Sequence, residues 1–175
     1  MSIIRKKNGI NLNPEKTGII NSFAGSSNIG GTTAETVLST VLIPANTFKL
    51  YDIIRIESRL RKDNNNDVAT IRIRIGTTES ISSTLAGVYT SGASNHNYIP
   101  ITRYYAIENL SGAGSGTKSF PASFSLAFQS GVADVESNLA IDWTVDNYVV
   151  LTGQLASASD VMNLMYIVVD QINGA

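Results

Sequence analysis

Between Ile54 and Arg61 apolar and charged side chains alternate, with Ile54, Ile56 and Leu60 on one parity and Arg55, Glu57, Arg59 and Arg61 on the other. A period of two marks a half-buried β-strand, because successive side chains leave a strand on opposite faces. The pattern returns in Ile71-Arg72-Ile73-Arg74-Ile75, and Asp63-Asn64-Asn65-Asn66-Asp67 between the two runs is rich in turn formers. The two runs are therefore expected to pair as a β-hairpin. Keeping the isoleucines on one face and opposite charges across from each other selects the register with Glu57 opposite Arg72 and Lys62 opposite Asp67. The competing register would set Arg59 against Arg72.

Leu139, Ile141, Trp143 and Val145 alternate with Ala140, Asp142, Thr144 and Asp146, and after Asp146-Asn147 a β-branched run resumes from Tyr148 to Leu155, which predicts a second hairpin. Beyond a small-residue loop, Ala156 to Asp160, the segment Met162 to Ile172 is apolar throughout Leu164 to Val169. Such a run fits a strand covered on both faces, by the core on one side and by a neighbouring subunit on the other. Further strands are expected at Glu35 to Ile43, Gly87 to Thr90, Tyr98 to Glu108 and Ser123 to Phe128, separated by the loops Ser91 to Asn97 and Ser111 to Thr117. A helix start at Thr33-Ala34-Glu35 competes over Ala34 to Leu42, and the strand is preferred. Residues 1–33 hold few large apolar residues and several loop formers, notably Asn8-Gly9, Asn13-Pro14 and Gly30-Gly31. They read as an extended N-terminal arm on a single sandwich domain of residues 34–175. The expected fold class is all-β, an antiparallel β-sandwich with that arm.

Composition narrows the chemistry. The 175 residues suffice for one sizeable core, and charged residues make up only 15% of them. A formal net charge of −1 supplies no global field for a nucleic acid or an anionic membrane. The chain has no cysteine, which excludes disulfides, thiolate metal sites and thiol nucleophiles. Met1 to Asn8 is followed by no apolar stretch of signal-peptide length, so synthesis in a cytoplasm is expected. No run is long enough for a membrane-crossing helix.

Motifs for ligand chemistry fall short on inspection. Gly25 to Thr32 has the glycine spacing of a phosphate-binding loop, but Gly31 stands where the lysine is needed. Asp63-x-Asn65-x-Asp67 opens like a calcium loop, but Val68 replaces the turn glycine and Arg74 the closing glutamate. His96 is the only histidine and sits in a loop-like segment, which leaves no histidine pair for zinc. The carboxylates Asp134, Glu136, Asp142 and Asp146 are close in sequence, with nothing to order them as an acid and a base. No cofactor or metal is expected, and no catalytic residue. Trp143 is in phase with the core residues of its segment, whereas Tyr104 or Tyr105 must face outward and is available for stacking on a glycan. Arg55, Arg59, Arg61, Arg72 and Arg74 would share the polar face of the first hairpin as a basic patch. Without interleaved aromatic residues that patch suits solvent or an acidic protein surface better than nucleic acid.

The segment Leu42-Ile43-Pro44-Ala45-Asn46-Thr47-Phe48-Lys49-Leu50-Tyr51-Asp52-Ile53-Ile54-Arg55-Ile56 resembles one found in structural proteins of tailed bacteriophages, in which a strand ends at an Ile-Pro-Ala-Asn turn and a second begins soon after. The position before the aspartate, a glycine in that pattern, is Tyr51 here. The resemblance implies a jelly-roll sandwich without catalytic residues, serving as a head decoration, head fibre, or tail or baseplate component of the virion. Its implied partners are further copies of itself and other virion proteins, with a glycan receptor as the alternative. Subunit contacts are then expected from Ile3, Ile4, Ile10, Ile19 and Ile20 of the arm and from Tyr166 and Val168 of the last strand.

Overall fold

A strand that buries alternate residues has one apolar face, and that face needs a second layer to cover it. The computed structural model describes residues 6–7, 10–11, 18–63, 67–93, 96–112, 116–121 and 137–172, and these form strands without any helix. In chain order the strands are β1 (Lys6–Lys7), β2 (Ile10–Asn11), β3 (Gly18–Gly30), β4 (Thr36–Ile43), β5 (Ile53–Asp63), β6 (Ala69–Gly76), β7 (Thr84–Thr90), β8 (His96–Ile107), β9 (Thr117–Pro121), β10 (Ser137–Leu139), β11 (Asn147–Leu155) and β12 (Val161–Ile172). A six-stranded sheet has the order β10-β9-β8-β5-β12-β3, and a four-stranded sheet the order β4-β11-β6-β7; β1 and β2 pair only with each other.

The wiring is nested. With β9 and β10 set aside as an extension of the larger sheet, the other eight strands pair first with last: β3 with β12, β4 with β11, β5 with β8, and β6 with β7, all antiparallel. Successive pairs fall alternately in the larger and the smaller sheet. A long doubled ribbon, rolled so that its turns pass from one sheet to the other, is a jelly roll.

This wiring corrects both expected hairpins. β5 pairs with β12 and β8, while β6 pairs with β11 and β7 in the other sheet. Glu57 therefore faces Thr102 and Val168, and Arg72 faces Thr152 and Val88. β5 and β6 thus lie in opposite sheets, which keeps Ile54, Ile56, Ile71, Ile73 and Ile75 inward without pairing the two strands, while Ile53 falls on the outward parity of Arg55. The second expected hairpin fails likewise, because β10 joins the larger sheet and β11 the smaller. Between them an isolated bridge joins Asp142 to Ser111, and a turn follows at 143–145. The strand preferred over a helix at Glu35 to Ile43 is present as Thr36–Ile43. The expected boundary of the arm moves: Gly18–Gly30 is a long edge strand of the larger sheet, hydrogen-bonded to β12, so the sandwich begins well before residue 34. The strand expected at Ser123 to Phe128 lies outside the described residues.

The core fills the space between the sheets. Ile54, Ile56 and Leu60 of β5, Ile99, Ile101, Tyr105 and Ile107 of β8, and Met162, Leu164, Ile167 and Val169 of β12 meet Ile71, Ile73 and Ile75 of β6 and Val149, Leu151 and Leu155 of β11. Each such aliphatic side chain contributes about 1.5–3 kcal/mol on burial. One end is closed by Trp143, whose ring meets Phe48 edge-on with centroids 5.0 Å apart. Its Nε1–H donates to Thr117 Oγ1 at 2.8 Å, which satisfies the only polar atom of a buried indole.

The loop that carries Phe48, residues 44–52, is held by its backbone. Asn46 N–H donates to Trp143 O at 2.9 Å, Ala45 N–H to Asp146 Oδ1 at 2.7 Å and Tyr51 N–H to Ile107 O at 2.7 Å. The buried Asp52 carboxylate accepts from Lys49 N–H and from Gln171 Nε2, each at 2.7 Å. These bonds hold Asn46 at φ 59° and Tyr51 at φ 71°, in the left-handed region. Asparagine tolerates that conformation, but an ordinary side chain there is strained, and glycine is the residue that adopts it freely. The glycine of the phage pattern and the Tyr51 of this chain thus meet at one backbone requirement. Since the Tyr51 side chain is 65% exposed, its ring recovers little by burial. Tyr51→Gly is expected to stabilise the protein by about 0.5–1 kcal/mol, seen as a higher urea midpoint at unchanged slope; a lower midpoint would show that the ring has packing contacts outweighing the strain.

Candidate functional site and interaction surfaces

The five arginines expected in one patch are divided between opposite sides of the molecule. Period two assigns each side chain to a face of its own strand but says nothing about which sheet the strand joins. Arg55, Arg59 and Arg61 project from the outer face of the larger sheet, and Arg72 and Arg74 from the outer face of the smaller one. Each set is met by its own partners. Arg55 is paired with the buried Asp170 of β12, through Nε at 2.8 Å and also through Nη2. Arg61 Nε lies 2.8 Å from Asp63 Oδ2. The Arg59 guanidinium sits over the Tyr166 ring, 5.5 Å from its centroid, and Tyr166 Oη donates to Glu57 Oε1 at 2.7 Å.

On the smaller sheet both arginines converge on Glu35, in the connection from β3 to β4. Arg74 donates from Nε to Oε1 at 2.8 Å and from Nη2 to Oε2 at 3.1 Å, Arg72 Nη1 lies 3.3 Å from Oε2, and Thr152 Oγ1 donates to Oε1 at 2.6 Å. Gln154 extends the network, accepting from Arg72 Nη1 at 3.0 Å and donating to Thr33 O at 3.2 Å. Glu35 thereby latches the connection onto β6 and β11. Burial pushes its carboxyl up, but the bonds from Arg74 and Thr152 and the two guanidinium charges outweigh this and hold it below its ordinary value of 4.5. A depressed folded-state value contributes stability that is present above the unfolded value and is lost as pH falls through the folded one. Glu35→Gln is therefore expected to lower the thermal midpoint at neutral pH, with the gap to wild type closing as pH drops below 4.5; a gap independent of pH would mean that the latch works through shape alone.

Of the expected contact residues, Tyr166 and Val168 lie half-buried on the outer face of β12, in the middle of the larger sheet. The run Leu164 to Val169 is not covered on both faces by its own chain. Leu164, Ile167 and Val169 are buried, whereas Met165, next to an irregularity in the pairing with β5 and β3, is 51% exposed. Ile19 and Ile20 belong to β3, where Ile19 pairs with Asp170, and Ile10 is in β2; Ile3 and Ile4 lie outside the described residues.

The remaining candidates have structural posts. Trp143 and Tyr105 are core residues, and Tyr104 is the member of its pair that faces outward, half-buried across from Arg55. Asp142 Oδ1 accepts from the Thr144 amide at 2.9 Å and hydroxyl at 2.6 Å, bonds that lower its pKa, and Asp146 Oδ1 accepts from Ala45 N–H. Both carboxylates hold turns. Asp134, Glu136 and Asn65 lie outside the described residues, and His96 opens β8 opposite Lys62. Among the described residues no three His, Cys, Asp or Glu side chains gather as metal ligands.

One buried pair escaped the sequence reading. Lys62 Nζ lies 3.0 Å from Asp160 Oδ2 with both side chains fully buried, and the Asp160 oxygens receive no well-aligned hydrogen bond, so the attraction is chiefly between charges. The signal was present in the parity: Lys62 continues the inward series Ile54, Ile56, Ser58, Leu60. Removing one charge from a buried pair strands the other, at about 3–5 kcal/mol, whereas removing both loses much less. Asp160→Ala is expected to be destabilising on that scale and Lys62→Met/Asp160→Ala distinctly less so, by denaturant titration; losses that simply add would show that the two charges are not coupled.

No protein-family model matches the chain, and no curated protein sequence does. Among solved structures, that of infectious bursal disease virus, Gx strain, aligns with 98% of this chain and 46% of its own, at 9% identity and a TM-score of 0.21. The chain thus spans less than half of that protein, and a likeness of this size carries no argument about role.

Proposed function

We propose that this chain is a non-enzymatic structural protein of a virus particle of the tailed-bacteriophage kind, made in the host cytoplasm and assembled through protein–protein contacts as a capsid-associated, fibre or tail component. The observation that supports the reading is the nested eight-strand wiring, since double-sheet jelly rolls of this type build capsid domains. The wiring alone is shared with lectins. What favours the particle reading is the position of the phage-like segment Leu42 to Ile56, which forms the end of β4, the strained turn and the start of β5, a corner where the rolled ribbon changes sheets. The outer faces suit surface-to-surface packing better than substrate capture, because Arg55, Arg61, Arg72 and Arg74 are already paired with carboxylates within the chain.

The test is composition of the particle itself. Virions purified through two density gradients are expected to retain the chain at a fixed ratio to the major capsid protein, measured by quantitative mass spectrometry. Its confinement to the soluble lysate, with none in banded particles, would refute a structural role.

A further inference from the structure

The four strands at the edges of the two large sheets, β3, β4, β7 and β10, contain no charged residue. The charged residues of those sheets lie on β5, β6, β8, β9 and β12, all interior. Soluble sheets ordinarily do the reverse, guarding an edge with lysine, proline or a very short strand, because an open edge offers unpaired N–H and C=O groups to any passing strand. β10 has three residues and is short enough to be safe, and β4 runs into Pro44. β3 has no such protection: it is the longest edge at 13 residues, with neither charge nor proline, and no described strand pairs with its outer side.

We propose that the free edge of β3 pairs antiparallel with β3 of a second copy, joining two six-stranded sheets across a two-fold axis. The unmet backbone groups of an edge call for an extended strand, and symmetry narrows which one. A strand laid against itself about a two-fold axis perpendicular to the sheet is antiparallel by construction, so a closed pair results and not an open chain of subunits. Self-pairing also sets like residues near like, which is unfavourable for any strand carrying charge. β3, built from Gly, Ile, Asn, Ser, Phe and Ala, meets no such repulsion. The sheet it would extend is already antiparallel from β3 through β12, β5 and β8. This pairing is independent of the particle reading, since it takes place between two purified chains.

Sedimentation of the purified full chain tests it, beside Ser22→Lys/Ser26→Lys and Ser22→Glu/Ser26→Glu, whose positions flank the midpoint of β3. The wild type is expected to have the mass of two chains. Each charged variant alone is expected to be a monomer with wild-type far-UV dichroism and Trp143 fluorescence, and an equimolar mixture of the two to recover the dimer. A chain lacking residues 1–17 should still dimerise. A monomeric wild type, charged variants that dimerise alone, a mixture that stays monomeric, or loss of the dimer on removing residues 1–17 would each overturn the proposal. Amide exchange on the unaltered protein provides a reading free of any folding defect: protection of residues 18–30 must rise with protein concentration, and protection that ignores concentration overturns the proposal as well.

Discussion

The strands β5, β6 and β12 each turn one greasy face inward, and neither sheet can hide its own. The isoleucines of β5 and β6 belong to different sheets, so the core exists only once the chain has brought those sheets together. Nested pairing achieves this: β6 and β7 form the tip of a doubled ribbon, and each further pair added to it falls in the other sheet. The pairing of β3 with β12 closes the series and ties the first strand of the sandwich to its last. Most contacts of such a fold are distant in sequence, and slow folding is the expected consequence.

Polar chemistry is subordinate to that wiring. Several charges on the interior strands project outward and are met by a partner on the neighbouring strand or in a connecting loop, as Arg55 is by Asp170 and Arg72 and Arg74 are by Glu35, whereas Lys62 turns inward to Asp160. The last pairing is mechanical in effect, since it fastens the connection between β3 and β4 to the middle of the smaller sheet. At the corners the backbone takes on left-handed conformations at Asn46 and Tyr51, held by hydrogen bonds to β8 and to the turn around Trp143. The described ion pairs are internal to the domain, and the edge strands of both large sheets carry no charge.

Much of the fold was legible along the chain. Alternation located β5 and β6 and the inward side of each, the β-branched run located β11, and the phase of Trp143 put it in the core. Lys62 was legible too, because it falls on the buried parity of β5, although charge is a strong reason to expect a surface position. The basic patch was misjudged for one reason: it rested on a hairpin, and with the hairpin removed its two halves lie on opposite sides of the sandwich.

The sequence by itself determined where most of the core strands lie, which of their faces turn inward, and that the protein would be all-β, because side-chain alternation is a local property of the pleated backbone; it did not separate the turn after Leu139 from a strand or place Gly18–Gly30 in the sheet. Which strand lies beside which was decided only in three dimensions. A hairpin and a crossover between sheets bury the same residues of β5 and β6 and differ solely in partners far along the chain, β8 and β12 for one strand and β7 and β11 for the other. The pairing of charges followed from that choice, and so did the surface: Arg55 could find Asp170, and Glu35 could gather Arg72 and Arg74, only after the roll had closed.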